Sequence, residues 1–369
     1  MSIDLICTIG PASSSPAILK ELLLGGMTIA RLNMSHGSHE EHARVIEVLR
    51  AAAAETGQPV RIMSDLQGPK IRLKSVQGED VQLEEGQSFI LDQSDEPGSQ
   101  DRAALDNPVV MEDIQLGAAI LINDGEVKLE VTDKHPGSII TKVIVGGTIS
   151  SHKGVNLPGT KIRLPAITEK DKQDLQFLLE HHVDWIACSF IREASHLMEI
   201  RAFVSALGKY SQPGLVSKIE TIHAIQNFSS IMEASDGIMI ARGDLGVELP
   251  FERIPFIQKA ILRECKQSRT YVITATQMLQ SMVEHPVPTR AEVTDISQAV
   301  MDGTDAVMLS AESSVGDYPV QSTRVLNTVA KFAENMREQG KSDFELGELC
   351  TESPFDHLYK KTAVNNRTD

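Results

Sequence analysis

The feature that most constrains this chain is an alternation. Short continuous runs of β-branched and other apolar residues recur at 5–9, 29–32, 60–63, 185–189, 215–219, 237–241, 271–274 and 306–309. Most are followed by a stretch of helical period, at 16–24, 39–54, 169–180, 194–207, 221–232, 255–265 and 291–301. Strands that are apolar on both faces must be covered on both, and helices alternating with them supply that cover in a parallel sheet. Eight such units predict an α/β fold, a (β/α)8 TIM barrel of about 250 residues. The alternation fails between 69 and 157. There, short strand-like pieces at 81–83, 88–91, 119–122, 126–131 and 139–145 are separated by Gly, Pro and Asp turns. The expected organisation is a barrel from 1–68 and 158–340, a small all-β domain at 69–157 inserted after the third strand, and a polar tail at 341–369.

Charge narrows the function. Asp plus Glu number 51 against 35 Lys plus Arg, a formal net charge of −16. Such a surface repels nucleic acid and anionic membranes, so a small anionic substrate binds only where cations converge locally. Cys7, Cys188, Cys265 and Cys350 form no CxxC pair, which argues against a disulfide framework or zinc site and for a reducing cytoplasm. The N-terminus reads as no signal peptide, and no apolar run approaches the ~20 residues that span a bilayer. Neither a GxxxxGK[ST] loop nor a strand-linked GxGxxG occurs, so bound phosphates would have to be held by metal ions and Lys or Arg. His181-His182 reads as a solvated helix end, and Met232, Met239, Met278 and Met308 as core filling.

In a barrel, polar residues at the C-terminal ends of strands face the shared mouth. Nearly every predicted strand here ends in one. The second runs into Arg31-Leu32-Asn33-Met34-Ser35-His36, the third into Asp65, the fourth into Ser189 and the fifth into Lys218-Ile219-Glu220. The sixth runs into Ala241-Arg242-Gly243-Asp244, the seventh into Thr276 and the eighth into Ser310-Ala311-Glu312. Lys218 and Glu220 are two apart on a strand and project to one side, either as an ordinary ion pair or as site groups. Burying both costs desolvation that a functional site would justify. Glu220 with Asp244 makes a plausible two-carboxylate Mg²⁺ site, completed by water and substrate oxygens. Gly243 would let exposed backbone amides approach an anion.

Nine stretches, in order over residues 3–340, give a resemblance: CTIGPAS (7–13), ARLNMSHG (30–37), DLQGPKIR (65–72), HKGVNLPG (152–159), SKIET (217–221), SDGIMIARGDLGVELP (235–250), ATQML (275–279), PTRAEVTDISQAVMDGTDAVMLSAE (288–312) and GDYP (316–319). The chain resembles the pyruvate kinases, which transfer a phosphoryl group from phosphoenolpyruvate to ADP, giving pyruvate and ATP in the last step of glycolysis. The resemblance implies a barrel A domain and a β-rich B domain that closes over the site. It also implies a C-terminal α/β domain with an effector site, which this sequence is expected to lack. That expectation puts the family's sugar-phosphate regulation and usual tetramer in doubt and favours a homodimer.

Roles follow position by position from the resemblance. Glu220 and Asp244 would bind Mg²⁺ or Mn²⁺. Lys218 would neutralise the phosphoryl group in flight and the enolate oxygen, and Arg31 would grip the phosphoryl group. The backbone of Ala241, Arg242, Gly243 and Asp244, with Thr276, would hold the substrate carboxylate. Thr276, Ser310 and Glu312 mark the region that protonates the enolate, through water, since Thr is too weak an acid to donate unaided. Arg31, Asn33, His36, Arg72, Lys153 and Asp124 would contact the nucleotide or its phosphates. The monovalent-cation region maps to Asn33, Ser35, Asp65 and the Leu66 carbonyl. Many members carry Glu where this chain has Lys70, so Lys70 is expected to replace K⁺ internally and K⁺ not to be required. Two other classes stay open: a barrel lyase or aldolase acting on pyruvate-like enolates, which has no use for the inserted domain, Arg72 or Lys153, and a non-catalytic binding module.

Overall fold

The structure, a computed structural model, describes residues 2–340 apart from 209 and 211. The expected tail at 341–369, with Cys350, lies outside the described residues. Eight strands close in chain order into a barrel: Asp4–Thr8, Ile29–Asn33, Arg61–Asp65, Trp185–Cys188, Gly214–Ile219, Gly237–Ala241, Tyr271–Ala275 and Ala306–Leu309. Their pairing is parallel, with Trp185 opposite Met63, Lys218 opposite Met239 and Ala241 opposite Ala275. Every residue of Gly237–Ala241 is buried, which is why that strand reads as an unbroken apolar run. No helix among the described residues is long and apolar enough to cross a membrane.

Contacts divide the chain into two compact units, one of residues 32–44 and 61–276, the other of 1–31, 45–60 and 277 onward. In the first, helix Glu169–Glu180 begins at a capping box. Thr168 Oγ1 accepts from Asp171 N, and the Asp171 carboxylate accepts from Thr168 N at 2.8 Å. The same buried carboxylate accepts from Gly68 N at 3.1 Å, so the helix start is tied to the point where the chain leaves the barrel. Gly68 has φ +65°, and a Cβ there would meet Ser189 O at 3.0 Å, so only glycine fits this turn without strain.

The segment beyond Gly68 forms its own sheets. Strands Ile71–Arg72, Gly154–Asn156, Ala119–Ile122, Val127–His135, Ser138–Val145, Ser88–Asp92 and Arg102–Ala104 lie in that order, and Gly147–Ser150 pairs with Asp80–Leu83. Val127, Leu129 and Val131 are buried while Lys128 and Glu130 are exposed, the period-two pattern of a sheet with one dry face. That face packs around Phe89, Leu91, Ile120 and Ile122.

The segment at 221–232 departs from expectation. It is two helices, Ile222–Gln226 and Phe228–Ala234, broken at Asn227. Asn227 Nδ2 donates to Arg192 O at 2.8 Å, so a tertiary hydrogen bond overrides the local period. In the second unit, helix Arg290–Asp302 starts at a capping box of Thr289 and Glu292 and stops at Gly303 in the left-handed region. Helix Pro319–Glu338, which the periodicity argument does not name, buries Val325, Leu326, Ala330 and Ala333.

Candidate active site

Lys218 sits near the end of Gly214–Ile219, 12% exposed at its side chain. Its ammonium donates to Ser189 Oγ at 2.9 Å and to Asp65 Oδ1 at 3.2 Å, and lies 2.8 Å from Glu220 Oε1. Ser189 Oγ in turn donates to Leu66 O at 2.7 Å, which fixes the hydroxyl lone pairs toward the ammonium. Glu220 Oε2 accepts from Phe190 N at 2.7 Å. That amide is aimed by an unusual backbone: Phe190 has φ +56°, a region that a bulky residue enters only under constraint. Burial pushes the Glu220 carboxyl pKa up. Lys218 opposes that effect, and the nearby charge of Asp244 adds to it.

The charge balance of this cluster is informative. The Lys218 ammonium faces Asp65 and Glu220, and Asp244 bears on Glu220 as well, so three carboxylates gather around a nearly dry site. Among the described residues, no group of three or more His, Cys, Asp or Glu could hold a metal alone. Glu220 and Asp244 are two carboxylates that could hold a hard divalent cation keeping most of its shell for water and ligand oxygens, as Mg²⁺ does.

The following strand ends build a second wall. Ala241 ends its strand, and Arg242–Glu248 is a short helix. The Arg242 side chain turns to the neighbouring strand end, donating through Nη2 to Thr276 O at 2.6 Å and through Nε to Ala275 O at 3.1 Å. Thr276 has φ +67°; its hydroxyl donates to Ala275 O at 2.6 Å and accepts from Gly243 N at 2.8 Å. The guanidinium thus braces the turn, leaving the backbone of 241–244 as the part of this segment able to meet a ligand.

In the inserted sheet, Arg72 and Gly154 are register partners, and Arg72 Nη1 donates to His152 O at 3.0 Å. Asn123 N donates to Gly154 O at 3.1 Å, which brings the Asn123–Glu126 turn beside Lys153. Arg72, Lys153 and Asp124 therefore share one corner of that sheet. A Cβ at Gly125 would stand 3.7 Å from Val247 Cγ1, so the corner reaches the Arg242–Glu248 helix. The Lys70 side chain lies across Gly154, where a Cβ would meet its Cε at 2.9 Å. Asn33 Oδ1 accepts from Ser35 N at 3.1 Å, and His36 is exposed with its carbonyl accepting from His42.

In the other unit, Arg31 is buried and its Nη1 donates to Thr8 Oγ1 at 2.9 Å. Glu312 is fully buried, and its two oxygens accept from Leu279 N at 3.0 Å and Ser310 N at 2.7 Å. Each oxygen accepts from a backbone amide, so Glu312, expected among the catalytic groups, also braces the turn that carries Ser310. The expectation paired Lys218 with Glu220 alone. Asp65, expected at the mouth and in the monovalent region but not as a partner of Lys218, is a second acceptor for the same ammonium. Phe190 was missed: only its backbone acts, and no residue pattern signals an amide.

Fold and cluster together define a (β/α)8-barrel protein with a β-rich insertion after its third strand and a buried lysine–carboxylate site at its strand ends. The family model "Pyruvate kinase, barrel domain" matches residues 1–323. A pyruvate kinase of Geobacillus stearothermophilus is 44% identical over 336 residues, covering 90% of this chain and 57% of the relative. One of Clostridium perfringens is 43% identical over 331 residues, covering 89% and 70%. A crystal structure of a pyruvate kinase from Cryptosporidium parvum superposes with a TM-score of 0.87 at 38% identity, covering 90% of this chain and 69% of that one. The chain belongs to the pyruvate kinase family. The chain spans a little over half the length of the Geobacillus relative and about seven tenths of the other two.

Proposed function

We propose that this chain catalyses phosphoryl transfer from phosphoenolpyruvate to ADP, giving pyruvate and ATP. The observation that carries this reading is the buried Lys218 ammonium, held by Ser189 and Asp65 beside the Glu220–Asp244 pair. Phosphoryl transfer asks little covalent help of a protein; positioning and positive charge do most of the work. Lys218 would neutralise charge on the phosphoryl group and on the enolate oxygen that forms as it leaves, with Arg31 gripping the phosphoryl oxygens. The 241–244 backbone and the Thr276 hydroxyl would hold the substrate carboxylate. The Thr276 hydroxyl would relay a proton from water to the enolate carbon, and Ser310 would help order that water. Glu220 and Asp244 would hold Mg²⁺ or Mn²⁺, which when bound supplies charge neutralisation to the carboxylate and phosphoryl oxygens.

Arg72, Lys153 and Asp124 would act from the inserted domain on the nucleotide side, with Asn33 and His36. Residues 69–157 would be the lid and 1–68 with 158–340 the catalytic barrel. The chain would work as a cytoplasmic homodimer; sedimentation showing a stable tetramer contradicts the dimer. Lys70 would make the enzyme independent of K⁺, its ammonium standing in for the cation near Asn33, Ser35, Asp65 and Leu66. In this structure the Lys70 side chain faces Gly154, so that role requires it to swing inward when substrate binds.

The test is a lactate-dehydrogenase-coupled assay of pyruvate formation with Mg²⁺, run in K⁺ and in tetramethylammonium at one ionic strength. Turnover that is lost in Lys218→Met supports the assignment. No turnover from a folded chain that binds phosphoenolpyruvate and metal overturns it, and a large activation by K⁺ overturns the role of Lys70.

A further inference from the structure

A cavity of ≈ 40 Å³, with a wall part apolar and part polar, lies where the inserted sheet joins the barrel wall. Its lining includes Lys70, Arg192, Thr221, His223 and Glu248, and none of Lys218, Glu220, Asp244 or Thr276. With ~10–15 Å³ needed per water, it has room for about three or four waters or one small ligand group.

Arg192 is the group that demands an explanation. It is 9% exposed, and among the described residues its guanidinium makes one hydrogen bond, from Nη2 to Leu164 O at 2.7 Å. Burial pulls its pKa down, and the one acid whose charge supports it is Glu193. The Glu193 carboxylate is largely exposed and accepts from Ser195 Oγ at 2.7 Å, so it closes no ion pair with the guanidinium. His196 lies beside Arg192 and is neutral at pH 7, since burial first and the arginine second push its pKa down to about 4. Glu248, also in the cavity wall, accepts from Ile222 N at 3.4 Å and from the Asn156 side chain, yet burial still pushes its pKa up to about 6.

With one of its five donors used, the guanidinium completes its hydrogen bonds in the cavity, with water or with an anion, and an anion would also offset its charge. The surroundings favour that anion. Lys70 shares the cavity, and the fields of Arg192 and Lys161 both bear on His223. Thr221 is buried; its Oγ1 accepts from Ala224 N at 3.2 Å, and among the described residues its hydroxyl proton is given to no protein group. Two donors of different reach thus face one small space. The planar fork of arginine matches the oxygens of a carboxylate or phosphate.

We propose that this cavity binds one small oxyanion, a phosphate- or carboxylate-sized group, with Arg192 as principal donor and the Thr221 hydroxyl as second. The proposal does not rest on the catalytic reading above. The experiment is titration calorimetry of inorganic phosphate, and separately acetate, into the full chain at constant ionic strength. Phosphate is also expected at Lys218, so Lys218→Gln is titrated alongside. The expected result is a saturable site that persists in Lys218→Gln and weakens roughly tenfold or more in Arg192→Gln, the loss of a charge-assisted contact. Arg192 also holds Leu164 O, so its replacement risks misfolding. Ile162→Phe fills the same cavity without removing a polar group and is expected to abolish the site in a chain of unchanged circular dichroism. Acetate competing at this site assigns it to carboxylates in general, and phosphate binding alone restricts it to phosphate. No saturable site in the parent chain, or one that survives both Arg192→Gln and Ile162→Phe, overturns the proposal.

Discussion

Glu220 and Glu312 invite comparison. Both follow the end of a barrel strand, and both are buried, at 1% and 0% exposure. The two oxygens of Glu312 end on the amides of Leu279 and Ser310, fixed dipoles that cannot leave. Glu220 spends one oxygen the same way, on Phe190, but turns the other to the Lys218 ammonium and bears the charge of Asp244. Same residue, same kind of position, different consequence: one carboxylate has both oxygens on backbone amides, the other turns one oxygen to a charged side chain. Residue type and burial do not separate a structural glutamate from a functional one. What the second oxygen faces does.

The largest effect expected from this contrast is on the Lys218 side. Lys218→Met should lower kcat of the coupled reaction by roughly a thousandfold or more, the scale for removing a preorganised charge from a transition state. Residual activity above a tenth of the parent's would break the contrast, because the ammonium would then be only an ion-pair partner. On the other side, Glu312→Ala strands two buried amides and should cost about 2–5 kcal/mol by urea unfolding. Glu220→Gln should do the reverse, abolishing turnover while changing stability by less than about 1 kcal/mol, because relief of carboxylate desolvation and of the like charge of Asp244 offsets the loss of the Lys218 pairing.

Much of this was legible in the sequence, for different reasons in different places. The barrel strands are buried on both faces, so 237–241 and 306–309 stand out as apolar runs whose limits the structure reproduces. The inserted strands alternate, and the short ones escaped. Ile71–Arg72 and Gly154–Asn156 are too brief to show a period, although they carry the connection to the barrel. Lys218 with Glu220 followed from a spacing of two on a strand. Asp65 as a partner of Lys218 did not, because it comes from another strand 153 residues away. The cavity at Arg192 left no trace: the guanidinium is defined by what does not pair with it, and absence of a partner is visible only in three dimensions.

A titration sharpens the comparison with a third glutamate, this one half-buried. Burial pushes the Glu248 pKa up to about 6, from an ordinary value of 4.5. Between those values the folded chain holds a proton that the unfolded chain gives up. The stabilisation is therefore full below about 4.5 and is lost as pH rises through 6. At neutral pH the ionised group weighs against folding by roughly 2 kcal/mol, from 1.36 kcal/mol per pKa unit. Glu248→Gln should then raise stability at pH 7.5 and leave it nearly unchanged at pH 4.5, measured by urea midpoints. A substitution that destabilises equally at both would show that Glu248, like Glu312, is a bracket.

The smallest effect is the most discriminating about cause. Glu292 makes more hydrogen bonds than Glu312: Oε2 accepts from Thr289 N at 2.7 Å, Thr289 Oγ1 at 2.8 Å and Ser281 Oγ at 2.6 Å, and Oε1 from Ser281 N at 2.7 Å. It is, however, partly exposed. Its slight burial raises its pKa, but the Ser281 and Thr289 bonds outweigh that and hold it below the ordinary carboxylate value, so its contribution is present at neutral pH and fades in acid. Water can replace those bonds if the carboxylate is lost. Glu292→Ala should therefore cost only about 1 kcal/mol, the usual worth of a helix cap, against several for Glu312→Ala. Equal costs for the two would mean that hydrogen-bond count, not exclusion of water, decides what a bracketing glutamate is worth. The contrast between Glu220 and Glu312 would then rest on their partners alone.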